Sequence, residues 1–133
     1  MTGRPRFVLD SGALIALERA DRRMTELLIL VRREEAQLIM PDAVLAQVWR
    51  GGHGRQARLA ALLGLRPDQC AKVSLDTEAA KRTGVRIAET GHHDVVDVHV
   101  AMLAEDRDAV VVTSDPEDIL RVSPGLKERL FEL

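Results

Sequence analysis

Four consecutive apolar residues, Ala109-Val110-Val111-Val112, show no polar alternation, which is the pattern of a short strand covered on both faces. Such a strand belongs inside a parallel sheet, because parallel neighbours must be joined by crossovers, and helical crossovers are what cover both faces. The rest of the chain supplies them. Arg6-Phe7-Val8-Leu9 is a second apolar run, stopped by Asp10-Ser11-Gly12 and followed at once by a helical stretch over 13–18. Residues 24–33 carry Leu27, Leu28, Leu30 and Val31 at helical spacing ahead of a strand at 37–40. Pro41-Asp42 opens a helix over 43–50 that Gly51-Gly52 stops, and 55–63 repeats the amphipathic pattern up to Gly64. A third strand is expected at 71–75. Asp76-Thr77 then caps a helix reaching about Thr90 before Gly91. The next helix, 94–105, has Val96, Val100 and Leu103 as its buried stripe, and 130–133 reads as an edge strand. Strands separated by one or two helices define an α/β fold, a three-layer α/β/α sandwich around a mostly parallel sheet. No repeat, linker or low-complexity segment interrupts it, so 1–133 is expected to be one domain.

Hydrophobic residues make up 46% of the chain and charged ones 30%, enough to build a core and keep it soluble, which argues against disorder. No apolar run approaches the ~20 residues that cross a bilayer, and nothing resembles a signal-peptide core, so a cytoplasmic location is expected. The single cysteine, Cys70, has no internal partner for a disulfide or a metal knuckle and reads as a small buried thiol. The net charge of -2 does not announce a nucleic-acid binder. An average hides local fields, however. All basic residues except Lys72, Lys81 and Lys127 are arginines, with Arg50, Arg55 and Arg58 close together and Arg82 one helical turn from Arg86. These either form a local basic surface or simply solvate helix faces.

In open parallel sheets, ligands sit beyond the carboxyl ends of the strands, so acids at strand ends carry the most information. Asp10 ends the first strand and Asp115 follows the fourth in Thr113-Ser114-Asp115-Pro116. Asp94 and Asp97, three residues apart at a helix start, are expected on one face. Each also has a structural explanation: Asp10 or Ser11 as a helix cap, Asp94 as a dipole-favoured acid, Asp115 as a turn residue. Asp97 is harder to explain that way, because it interrupts the apolar stretch Val95-Val96-Asp97-Val98 and is expected half-buried without a partner. Clustered carboxylates repel, and burying them costs free energy unless they are protonated or meet a cation. A hard divalent ion, Mg²⁺ or Mn²⁺, is the natural counter-charge for oxygen ligands. Ions held this way activate water and steady the leaving oxygen of a phosphodiester, which is nuclease chemistry.

These segments resemble the PIN-domain family and, within it, the VapC-type toxins, over nearly the whole chain. Phe7-Val8-Leu9-Asp10-Ser11-Gly12 resembles the family's opening strand with its first metal-site aspartate and following hydroxyl. Asp97-Val98-His99-Val100-Ala101-Met102-Leu103-Ala104 resembles the helix headed by an aspartate, with Asp94 as the accessory acid one turn earlier. Val111-Val112-Thr113-Ser114-Asp115 resembles the closing strand with its hydroxyl-x-acid signature. The resemblance implies a metal-dependent endoribonuclease that cuts structured RNA such as transfer or ribosomal RNA, works as a homodimer, and is blocked by a cognate VapB-type antitoxin. It implies metal ligation by Asp10, Asp94, Asp97 and Asp115. Ser11, Thr113, Ser114, Arg50 and Arg55 are the expected substrate contacts, with Arg58 a further candidate for the groove wall. One position departs from the pattern: in Pro41-Asp42-Ala43-Val44-Leu45-Ala46-Gln47 the family's glutamate is Gln47. A neutral amide lowers metal affinity, so Gln47 either completes the catalytic set by binding water or substrate, or signals a silent module that binds RNA or an antitoxin.

Other chemistries fit less well. His53, His92, His93 and His99 show no zinc spacing, and Gly51-Gly52-His53-Gly54 lacks the lysine and preceding strand of a phosphate-binding loop. Trp49 is expected in core or dimer packing. A receiver or phosphatase domain would need an acid pair after the first strand and a later lysine, and Asp10-Ser11-Gly12 offers neither.

Overall fold

The computed structural model describes residues 3–133. Five strands, β1 (Arg6–Leu9), β2 (Gln37–Pro41), β3 (Cys70–Val73), β4 (Val110–Thr113) and β5 (Leu130–Glu132), form one sheet in the order β3-β2-β1-β4-β5. Every pairing is parallel. Among the described residues seven α-helices connect them: α1 (Ser11–Glu18), α2 (Arg22–Arg32), α3 (Asp42–Val48), α4 (Ala57–Leu63), α5 (Thr77–Thr90), α6 (Val95–Arg107) and α7 (Pro116–Val122). Helix α1 packs against α2, α3 and α4 as well as the sheet, while α6 packs against α5, α7 and strands β1 and β4. The sheet is therefore covered on both faces. Val8, Leu9, Val111 and Val112 are completely buried, and each such side chain contributes roughly 1.5–3 kcal/mol. The α/β/α sandwich expected from the uninterrupted apolar runs is the observed architecture.

Several element ends shift by one or two residues from the expected bounds, and three differences bear on the site. Helix α3 stops at Val48, and Trp49 is already extended (φ -64°, ψ 130°), so Arg50 lies in a loop and not on the helix. The buried Gln56 side chain causes this. Its Nε2 donates to the Val48 carbonyl (2.7 Å), and its Oε1 accepts from the Arg50 and Gly52 amides (2.8 and 3.1 Å), so the chain's polar groups are satisfied without another helical turn. The segment 55–63 splits into a short 3₁₀ turn (Gly54–Gln56) and α4. Helix α7 is not expected from the sequence, where Asp115 reads as a strand-end acid or a turn residue before proline; in the structure Asp115 caps the helix and Pro116 opens it. No helix among the described residues is long and apolar enough to cross a membrane.

Candidate active site

The register of the sheet sets the site. Leu9 pairs with Val112, and the Asp10 amide donates to the Val112 carbonyl (3.2 Å), so Asp10 emerges beside Thr113 at the carboxyl ends of two adjacent central strands. Their onward connections lead to opposite edges of the sheet, the arrangement that opens a crevice in parallel α/β folds. Asp10 caps α1, accepting from the Ala13 amide (2.9 Å), and is 7% exposed. Burial pushes its carboxyl above the ordinary aspartate range, and the nearby Asp115 pushes the same way. Hydrogen bonds from the Thr113 hydroxyl and the Ala13 and Gly12 amides pull back. Gly12 packs closely against the turn after β4, where a Cβ would lie 2.2 Å from the Ser114 Oγ, 3.1 Å from its Cβ and 3.3 Å from Asp10 Oδ1.

Thr113 was expected to touch substrate. Instead it is completely buried, and its Oγ1 accepts the Asp115 amide (2.9 Å) while its hydroxyl bonds Asp10. One side chain thus ties the two strand-end acids together. Asp115, at the N-cap of α7, reaches Asp118 one turn on; their contact, followed by burial, raises the Asp118 carboxyl above its ordinary range. Asp97, in the first turn of α6, is raised chiefly by burial, with the charges of Asp94 and Asp118 adding to it. It has a partner that its apolar sequence neighbours did not suggest: His92 Nε2 lies 3.2 Å from Asp97 Oδ2. Asp94 does not share that inward face. It is exposed, and its Oδ1 accepts from the Val96 and Asp97 amides (2.9 and 3.0 Å) as the cap of α6.

The acids therefore form an arc from Asp10 through Asp115 and Asp118 to Asp97. The closed four-acid cluster with Asp94 does not form. Among the described residues, no three His, Cys, Asp or Glu side chains stand close enough to hold a metal ion together. The donor set still suits a hard cation. Three carboxyls are held above their normal range, partly by one another, and Mg²⁺ commonly binds through only one or two carboxylates while keeping its waters. Asp118 escaped the sequence reading, although Asp115-Pro116-Glu117-Asp118 has the spacing of a helix cap answered three residues later.

The remaining expected residues lie along α1. Ser11 is half-buried at its first position, and the exposed Ser114 lines a groove with Gly12, Ile15 and Arg19. Gln47 makes no hydrogen bond to the acids among the described residues. It faces a recess on the other side of α1, with Ile15, Glu18, Arg50, His53 and Arg55. Arg58 instead bonds the Glu18 carbonyl (3.3 Å), and Asp42 accepts from Ser74 (3.2 Å), away from the arc. Arg82 and Arg86 do not form an open basic surface, because each grips an acid of α6, Asp106 and Glu105 respectively, through two nitrogens. Trp49 packs over Gly52, where a Cβ would lie 2.4 Å from its ring.

A parallel α/β sandwich with carboxylates arrayed at its central strand ends is a framework in which a ligand crevice lies beyond the sheet. The model of the PIN domain matches residues 7–123, and the chain belongs to that family. Among solved structures, a chain of the VapBC2 complex from Rickettsia felis, solved bound to a DNA fragment from its promoter, superposes with a TM-score of 0.68 at 16% identity. The match covers 96% of this chain and 98% of that one, and establishes the shared fold. No curated protein matches the chain with significant similarity.

Proposed function

We propose that this chain is a divalent-metal-dependent endoribonuclease, the toxin half of a VapBC-type toxin–antitoxin pair, acting on structured RNA. The observation that carries the proposal is the convergence of Asp10, Asp115, Asp118 and Asp97 beyond the carboxyl ends of β1 and β4 in a chain of the PIN family. Asp10 and Asp115 at the strand ends would hold Mg²⁺ or Mn²⁺, with Asp97 engaging it through the ion's retained waters and Asp118 adding charge. A bound ion supplies Lewis-acid activation of water and stabilisation of the leaving oxygen. The chain's own residues prepare that position: Thr113 fixes Asp10 relative to Asp115, His92 orients Asp97, and Asp94 anchors the start of α6. Ser11 and Ser114 border the site, and Arg50 and Arg55 offset the repulsion between an acidic site and a polyanion. The Rickettsia complex supports an antitoxin as partner. A homodimer in the cytoplasm completes the reading.

Purified protein is expected to cleave RNA from a total cellular pool with Mg²⁺ or Mn²⁺, and Asp10→Asn and Asp97→Asn to abolish cleavage while retaining native circular dichroism. Mn²⁺ is also expected to raise the Tm of the wild type and not of Asp10→Asn; saturation at ~100 times Kd corresponds to about 2.7 kcal/mol. A second reading, a silent module that binds RNA or antitoxin, is favoured by the neutral Gln47. It prevails if the wild type is inert in this assay and Gln47→Glu cleaves.

A further inference from the structure

The glycine loop after α3 plays no part in the acid arc, yet its conformation is closely specified. Gly51, Gly52 and Gly54 adopt φ of 111°, 76° and 58°, conformations that side-chain-bearing residues seldom adopt, and Gly52 also leaves room for the Trp49 ring. At its centre Gln56, 7% exposed, binds the amides of Arg50 and Gly52, the Val48 carbonyl and the Glu18 carboxylate (Nε2 to Oε1, 2.8 Å). Three bonds from one amide to the chain between Val48 and Gly52, and a fourth that ties it to α1, fix the loop in shape. What it shapes is a recess of about 290 Å³ against α1, at the small end of ligand pockets (roughly 300–1,000 Å³).

The recess joins chemically different surfaces. Ile15 and Val48 give it an apolar wall. Arg50, His53 and Arg55 stand on the loop, and neither Arg55 nor His53 forms an ion pair among the described residues. Glu18 offers Oε2 and the remaining lone pair of Oε1, whose other acceptor site takes the bond from Gln56, and the Gln47 amide has no partner among the described residues. An anion-only site would not include Glu18, and a purely apolar pocket would not be ringed with arginine. An unpaired nucleotide requires both kinds of surface: a planar apolar body, a polar edge and a phosphate. Ile15 also lines the groove that holds Gly12 and Ser114 and lies one turn of α1 beyond Ser11, ~6 Å at 1.5 Å per residue. The recess is therefore within a nucleotide or two of the acid arc along a bound strand.

We propose that this recess is a specificity subsite that takes an unpaired guanine of the RNA. Glu18 accepts from the two adjacent donors of the guanine Watson–Crick edge, Gln47 donates to its O6, and Arg50 and Arg55 hold the nucleotide's phosphate. Gln56 is a positioning residue, because it fixes both Glu18 and the loop. The inference deepens the RNA reading above and rests on it.

Cleavage of an RNA library with a randomised single-stranded loop, with sequencing of product ends, tests it. The wild type is expected to favour guanine at one fixed position near the cut by about tenfold or more, the discrimination one bidentate pair provides. Glu18→Gln keeps the acceptor for Gln56 and is expected to lose that preference. Arg50→Ala with Arg55→Ala is expected to raise KM for all sequences alike and lower the salt slope of RNA binding by about 0.7, the slope of one phosphate contact on a single strand. An unchanged preference in Glu18→Gln, or unchanged KM and salt slope in the arginine pair, overturns the subsite. Binding by Asp10→Asn separates the two readings. If the wild type cleaves nothing, guanine-selective binding that Glu18→Gln abolishes still supports the subsite while the nuclease reading fails; RNA binding without base preference overturns the subsite alone.

Discussion

The Thr113 hydroxyl bonds the Asp10 carboxylate while its oxygen accepts the Asp115 amide, so a single buried atom sets the spacing of two acids from different strands. Thr113→Val conserves shape but removes both bonds, leaving Asp10 a buried carboxylate with less support. Such supporting residues typically affect metal affinity or activity by about 10–100-fold, and that loss is expected as a higher Mn²⁺ concentration for half-maximal cleavage. Cys70 shows the opposite use of burial. Desolvation raises its thiol from 9.0 to about 11, so it stays protonated and inert at neutral pH. Iodoacetamide at pH 8 is expected to label it far more slowly in the native than in the urea-unfolded state. Because the folded value lies above the unfolded one, this burial stabilises fully below pH 9 and the stabilisation is lost as pH rises towards 11. At this scale the sequence revealed acids at strand ends, where chain position alone is informative. It did not reveal His92 beside Asp97, or the inward turn of Thr113, because both depend on how a loop and a strand sit against neighbours distant in sequence.

Among elements, α6 has the most to align, since its first turn carries Asp97. Two paired grips hold it to α5: Arg86 on Glu105 (2.9 and 2.8 Å) and Arg82 on Asp106 (2.9 and 3.1 Å). Arg86 and Glu105 are partly buried, so Arg86→Ala is expected to cost about 1 kcal/mol, read as a lower urea midpoint at unchanged m-value. Long periodic helices such as α5 were readable, with Asp76 as cap and Gly91 (φ 74°) as stop. Short ones were less so. The end of α3 is decided by Gln56 several residues downstream, and α7 offers a single turn beyond its capping residues, too little for periodicity to register.

For the molecule as a whole, the strand order β3-β2-β1-β4-β5 places β1 at the centre with β4 beside it, although most of the chain separates them in sequence. Apolar runs and helical crossovers made the parallel sheet legible; strand order was not, because nothing local in Phe7-Val8-Leu9 states that its neighbour will be Val110-Val111-Val112. That long separation has a consequence during protein synthesis. A ribosome that has finished α5 has already made Asp10, yet the strand that must lie next to it, the hydroxyl that must hold it and the acids that must face it are still untranslated. The nascent polypeptide therefore holds no assembled acid site until its closing segments emerge, so whatever that site does begins only when synthesis is nearly complete.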